Sequence, residues 1–360
     1  MSAGLARAWG GLLLRPGGRG GALRRADGAW LRPGPGGALR RPKVDLAAIK
    51  ALREATGAPI KDVKAALDAA GGDAEQAHAE LRQRGLAAAQ KKQGRAATEG
   101  LVGLAVGGPG EAVLVEVNSE TDFAARNEKV QALVRALCQT ALAGPTAGPI
   151  PAEALGGWAC GGQTADGAVA EAAAAIRENI RLRRAVKART AAGVVASYVH
   201  GALAPGLGRI GTLVTIETDA GPGPKKTAVE ELGAKLAMHC AALRPQFLSK
   251  ETVPEEVIQS ETRLLTAQAE ESGKPANVVE KMVQGRLNKW FGETCFLHQP
   301  FVLDDSVSVE KAIERAAREQ GVAMAVTAFA RFEVGEGLEK EAADFAEEVE
   351  SVASKAAGGA

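Results

Sequence analysis

The sequence predicts an α+β fold: an N-terminal three-helix bundle, two related subdomains each made of a β-hairpin followed by a helix, and an inserted antiparallel helical hairpin. Three observations lead there. Before residue 86, apolar residues recur at helical spacing between Gly and Pro breaks. Paired β-branched runs then occur twice, at 101–106 with 112–117 and at 194–200 with 210–217, each pair followed by a helical pattern. Between 254 and 292, heptad-like apolar positions flank the break Ser272-Gly273-Lys274-Pro275.

Taken in order, the 360 residues suffice for two or three domains. Residues 1–43 are rich in Gly and Pro and hold nine basic residues against one acid, Asp27. Removing them from the whole-chain totals of 44 bases and 43 acids leaves 35 against 42, a net of −7. An Arg-rich, acid-poor N-terminus reads as an organelle transit peptide, mitochondrial rather than plastid because hydroxyl residues are scarce. The acidic remainder argues against direct nucleic-acid binding, and no apolar run is long enough to span a membrane.

Residues 44–86 read as three short helices. Leu46, Ile49 and Leu52 share one helical face, Thr56-Gly57-Ala58-Pro59 breaks the helix, and Pro59 suits the start of the next. Val63, Ala66 and Leu67 continue to Gly71-Gly72; Asp73 and Gln76 then cap a third helix that Gly85 is expected to stop. The arrangement resembles a ubiquitin-associated domain. Residues 87–99 form a basic connector, read as a solvated helix face.

The first core subdomain is expected at 100–150 and ends in a Pro/Gly linker, 144–151. The second is expected at 151–253 and is completed at 297–337. It would begin with a helix from Asp166 to Lys187 and contain the second hairpin and a helix over 227–243. The helical hairpin, projecting or packed, interrupts it at 254–296. A helix at 309–319 and a strand at 323–334 follow, and 338–360 reads as an acidic C-terminal helix or tail.

One corner is chemically odd. After the strand Val113–Val117, with Val113, Val115 and Val117 on one face, Asn118-Ser119-Glu120-Thr121-Asp122 is turn and cap chemistry, and a helix follows from about Asn127. Phe123 has no apolar partner nearby in this polar stretch. Either it folds back onto its own core or it is presented to another protein, as aromatic anchors are.

The run Glu116-Val117-Asn118-Ser119-Glu120-Thr121-Asp122-Phe123-Ala124-Ala125-Arg126-Asn127 closely resembles the signature of elongation factor Ts, the guanine-nucleotide exchange factor of elongation factor Tu; the family usually has Val at the position of Ala124. Leu52-Arg53-Glu54-Ala55-Thr56-Gly57 with Lys64-Ala65-Ala66-Leu67 resembles its second signature. So do Ile176-Arg177-Glu178-Asn179-Ile180, where the family often has Gly for Arg177, and Ser197-Tyr198-Val199-His200-Gly201. The segments 273–286 and Gln299-Pro300-Phe301-Val302 resemble bacterial members, and 329–337 is also similar to the family.

The resemblance implies a partner, elongation factor Tu, in its GDP-bound and nucleotide-free states. It implies that Asp122 and Phe123 enter the partner's GTPase domain and disturb its magnesium and phosphate site, with Thr121 and Ala124 shaping the corner. It further implies that Arg53, Ile60 and Lys61 dock the bundle, and that Ile176 and His200 lie near the contact. Bacterial members often carry Met at the last two bundle positions.

The chain offers no sign of chemistry of its own. Gly206-Leu207-Gly208-Arg209-Ile210-Gly211 fits a dinucleotide fingerprint, but a β-branched strand follows where a helix is required, so it reads as a hairpin turn. No P-loop, metal motif or nucleophile elbow occurs, and Cys138, Cys160, Cys240 and Cys295 are scattered, as free thiols are. The expectation is an exchange factor without covalent catalysis or cofactor. The alternative is a binding module that recruits partners through the bundle.

Overall fold

Helix ends account for the first unit. The computed structural model describes residues 45–221, 223–271 and 274–338, so the proposed leader and the C-terminal tail lie outside the described residues. Asp45 caps α1 (Leu46–Thr56), which closes at Gly57 in the left-handed region. Helix α2 (Ile60–Ala69) starts after Pro59, and Asp73 caps α3 (Ala74–Gln90). Leu52, Val63, Ala66, Leu67, Ala77 and Leu81 form their shared core. Gly85 does not stop α3. A Cβ there would sit 2.8 Å from the Ala174 Cβ, so the glycine serves close packing between helices. The connector is likewise not a free solvated face, because it is bonded to the core through Lys92 and Arg95.

The hairpin β1 (Glu99–Gly108) and β2 (Glu111–Ser119) forms as expected. Two helices follow it, α4 (Asp122–Arg126) and α5 (Glu128–Ala143), where one was expected. The Pro/Gly linker contains a short strand, β3 (Gly148–Ile150), before α6 (Ala152–Gly156), β4 (Ala159–Cys160) and β5 (Gln163–Thr164).

The helix expected over 166–187 is corrected. It ends early, as α7 (Ala165–Ile176), and residues from 181 form strand β6 (Arg181–Arg189) between β3 and β2. Arg177, at φ 65°, stops the helix. Glu116 then pairs with Arg184 and Val117 with Leu182, so Arg183 is an extra, bulged residue. The bulge lets two successive arginines reach one buried carboxylate: Arg183 donates to Glu116 Oε1 at 2.9 Å and Arg184 to Oε2 at 2.5 Å. The Gly335 N–H adds a third bond, at 2.9 Å. Residues 151–189 therefore pack in the first core, with Leu155, Ala173 and Ala185, and the expected break at 150/151 does not separate two packed layers.

Strand β7 (Gly193–His200) leads through β8 (Leu207–Gly208) to β9 (Ile210–Thr218). The glycines of 206–211 answer to packing. Gly206 has φ +71°, and a Cβ on Gly211 would lie 2.7 Å from Val102 and 2.8 Å from Leu114. That is where the two sheets meet, through Val102, Leu114, Val195 and Leu213. The first sheet runs β3-β6-β2-β1-β8 and the second β12-β9-β7. Helix α8 (Pro224–Leu243) covers β7 and β9 as α5 covers β1 and β2.

Helices α9 (Glu255–Glu270) and α10 (Ala276–Thr294) form the antiparallel hairpin, closed by Leu265, Ala269, Val279 and Val283. Leu264 and Val278, also among the apolar residues of this stretch, are exposed and lie outside the seam. The hairpin is rooted by Val253, Phe291 and Cys295. Strands β10 (Pro300–Phe301) and β11 (Asp304–Ser308), α11 (Val309–Gln320) and β12 (Met324–Glu333) complete the second core, with β12 on β9. All four cysteines are buried free thiols, and burial pushes Cys138 and Cys240 up to about 12.

Candidate partner-binding site

The site grows from the end of β2, the middle strand of its sheet. Asn118, Ser119 and Glu116 are buried there although polar, and each is bonded. Asn118 donates to the Glu99 carbonyl at 3.3 Å and to Glu116 at 3.2 Å; the Ser119 hydroxyl donates to the Thr121 carbonyl at 2.8 Å. Thr121 caps α4 by accepting from the Ala124 N–H at 3.2 Å. A five-residue helix has little stability of its own, so its pose depends on these ties.

The strongest tie comes from far along the chain. Glu178, just beyond α7, accepts from the Thr121 N–H at 3.0 Å and from its hydroxyl at 2.8 Å. Beside it, the Asn179 N–H donates to Glu120 at 2.6 Å, and Arg95 reaches Glu120 at 3.3 Å. The capping residue is thus gripped on its backbone and side chain by one carboxylate.

On this braced corner the helix turns two faces in opposite directions. Ala124 and Ala125 are buried in the first core. Phe123 points away and is 78% exposed, which rules out the reading in which it folds back onto its own core. Leaving a Phe in water forgoes roughly 1.5–3 kcal/mol of burial. Asp122, half exposed, lies 3.6 Å from Arg126 one turn on. The corner therefore presents an apolar ring beside a carboxylate.

Other residues singled out from sequence fall in three settings. Arg53, Ile60 and Lys61 are all exposed, at the end of α1 and the start of α2. His200 is exposed at the end of β7, 3.3 Å from the Tyr198 hydroxyl. Ile176 is half-buried against the first core. Ala124, expected to shape the corner, faces inward and supports it from the core side. Sequence reasoning missed Glu120, Glu178 and Asn179. A signal was present in the quoted segment 176–180, but nothing local tells which carboxylate will grip Thr121. Among the described residues no group of three or more His, Cys, Asp or Glu could hold a metal ion.

Comparison with known proteins places this corner in a family. The family model described as "Elongation factor TS" matches residues 120–336. The chain is 46% identical over 303 residues to the elongation factor Ts of Paramagnetospirillum magneticum, covering 84% of this chain and 94% of that protein. It is 44% identical over 310 residues to that of Bartonella henselae, with 86% and 99% covered, and 43% identical over 308 residues to that of Rhodospirillum rubrum, with 85% and 97% covered.

Proposed function

Because the chain belongs to the elongation factor Ts family, we propose that it serves translation elongation as the nucleotide-exchange factor of elongation factor Tu. In this reading Phe123 enters the GTPase domain of the partner with Asp122 beside it, disturbs the magnesium and phosphate site and so speeds GDP loss. Arg53, Ile60 and Lys61 dock the bundle, while His200 and Ile176 border the contact. Thr121 and Ala124 hold the corner. Physically this is negative coupling between two ligands: what binds best without nucleotide must by reciprocity weaken nucleotide binding. Direction is left to the cellular ratio of GTP to GDP.

The observation that carries the reading is the 78% exposure of Phe123 on a helix gripped by Glu178. A rigid, water-exposed aromatic suits an interface anchor, whose truncation costs ~2 kcal/mol or more. We further propose the unit boundaries given from sequence for the leader and the helical hairpin, with the bundle running on to the end of α3 at Gln90, and a mitochondrial location, supported by the Arg bias of residues 1–43.

Release of labelled GDP from elongation factor Tu tests the function. Substoichiometric protein accelerates release, and Phe123→Ala slows the stimulated rate about thirtyfold. A binding module that recruits partners through the bundle would leave the release rate unchanged with either protein.

A further inference from the structure

Three consecutive residues after α7 each hold a different part of the molecule. Arg177 reaches the bundle: its guanidinium donates to Asp62 on α2 at 2.6 Å, and its carbonyl accepts from Lys92 beyond α3. Glu178 grips Thr121 at the base of α4. Asn179 donates through its side chain to the Arg95 carbonyl at 2.6 Å and through its backbone to Glu120.

We propose that this turn is a strut that sets helix α2, which carries Ile60 and Lys61, at a fixed distance and angle from Phe123, with Arg177 as its positioning residue. The functional part of this proposal rests on the exchange reading above.

The layout of the bundle gives the strut something to hold. The bundle meets the core along α3, where Gly85 lies against Ala174 of α7. Along that seam, with Gly85 and Ala174 in its wall, a cavity of about 740 Å³ opens between bundle and core, lined by Ala58 and Leu81 on one side and Leu133 and Ala172 on the other. Contact resumes across the cavity at the α1–α2 corner, through the Asp62–Arg177 pair and through Gly57, whose missing Cβ would lie 2.8 Å from Lys129 Nζ. A bundle seated along α3 beside a cavity is a lever with its hinge on that seam, and Arg177, one turn beyond Ala174 at the end of α7, ties its α1–α2 corner. Arg177 also sits at φ 65°, where a side chain carries a backbone cost that glycine does not. The pair with Asp62 is about half exposed and so adds little to global stability. Its effect falls on the angle of the lever, hence on whether both contacts engage one partner together.

The test uses the full chain. Arg177→Gly removes the side chain and suits the left-handed backbone, so misfolding does not confuse the result. The exchanged pair, Arg177→Asp with Asp62→Arg, restores opposite charges. Spin labels at Asp68→Cys on α2 and Arg135→Cys on α5, both exposed positions, read the bundle-to-core distance distribution. The expected result is a narrow distribution with Arg177 present, a broadened one in Arg177→Gly, and narrowing again in the exchanged pair. In GDP release from elongation factor Tu, the concentration for half-maximal stimulation rises about two- to fivefold in Arg177→Gly, while the plateau rate stays within about twofold. An unchanged distance distribution in Arg177→Gly would overturn the proposal, and so would failure of the exchanged pair to restore it. A lowered plateau with unchanged half-maximal concentration would also overturn it. Should Phe123→Ala leave release unaffected, the exchange reading falls, and the distance measurement still decides on the strut.

Discussion

Strands β2 and β9 hold the same place in their sheets, each in the middle, with β1 and β6 beside one and β7 and β12 beside the other. Each runs on into the helix that covers its hairpin, α5 or α8. The corners between strand and helix differ. After β9, Asp219 accepts from the Ala323 N–H at 2.7 Å and Ala220 packs on the second core, so that corner is tied to its own unit. After β2, Glu178 grips Thr121 instead, and the short helix it anchors turns Phe123 outward. Both corners are braced by a remote segment, so Phe123 is not exposed for want of order or of a nearby core. The same hairpin-plus-helix pattern thus yields a corner tied to its own unit in one case and a presented apolar side chain in the other.

The largest contrast to test is between the two units' apolar residues. Leu236 on α8 is fully buried. Leu236→Ala leaves a cavity and costs about 2–5 kcal/mol in chemical denaturation, with GDP release per folded molecule unchanged. Phe123→Ala does the reverse, shifting stability by no more than about 0.5 kcal/mol while slowing release. If Phe123→Ala destabilised the protein as Leu236→Ala does, the outward corner would be a core element after all and the contrast would vanish.

A smaller effect probes the inward face of the same corner. Ala124 is 3% exposed and packed among first-core residues. Ala124→Val restores the residue usual in the family, yet adds two methyl groups to a filled site. Overpacking of this kind costs about 1–3 kcal/mol, read as a lowered melting temperature. A melting temperature at or above that of the unaltered protein would mean that space exists beside Ala124.

The smallest effect belongs to the second unit. His239 on α8 is fully buried. Its ring accepts from the Val302 N–H at 3.1 Å and meets the Gln299 carbonyl oxygen at 3.0 Å, which assigns the ring proton to Nε2. Burial holds its pKa below the ordinary histidine value. The unfolded chain then binds the extra proton first, so stability is full above about pH 6.5 and is lost as pH falls toward the folded value. Urea denaturation at pH 7.5 and 5.5 should show this loss, and a smaller one in His239→Gln. Equal losses in the two proteins would remove His239 from the pH dependence of the second unit.

By itself the sequence determined what is written in local periodicity and in backbone punctuation. The bundle helices, both hairpins, α8 and the antiparallel pair α9–α10 all carry their apolar spacing within a few residues, and each formed as expected save that α3 runs past Gly85 to Gln90. The α+β class followed from them. Tertiary structure alone decided three things. Residues 181–187 have charges and apolar residues close enough to helical spacing to read as helix, but β2 offers an unpaired edge and a buried carboxylate, and pairing with it makes them a strand. Gly85 looks like a helix stop, yet serves contact with Ala174, 89 residues away in the chain. From its neighbours Phe123 reads as core or as contact, and its direction is set by distant ties, the reach of Glu178 to Thr121 foremost. In each case the deciding partner is distant in sequence, and no local pattern carries a bond whose other end has not yet been brought near.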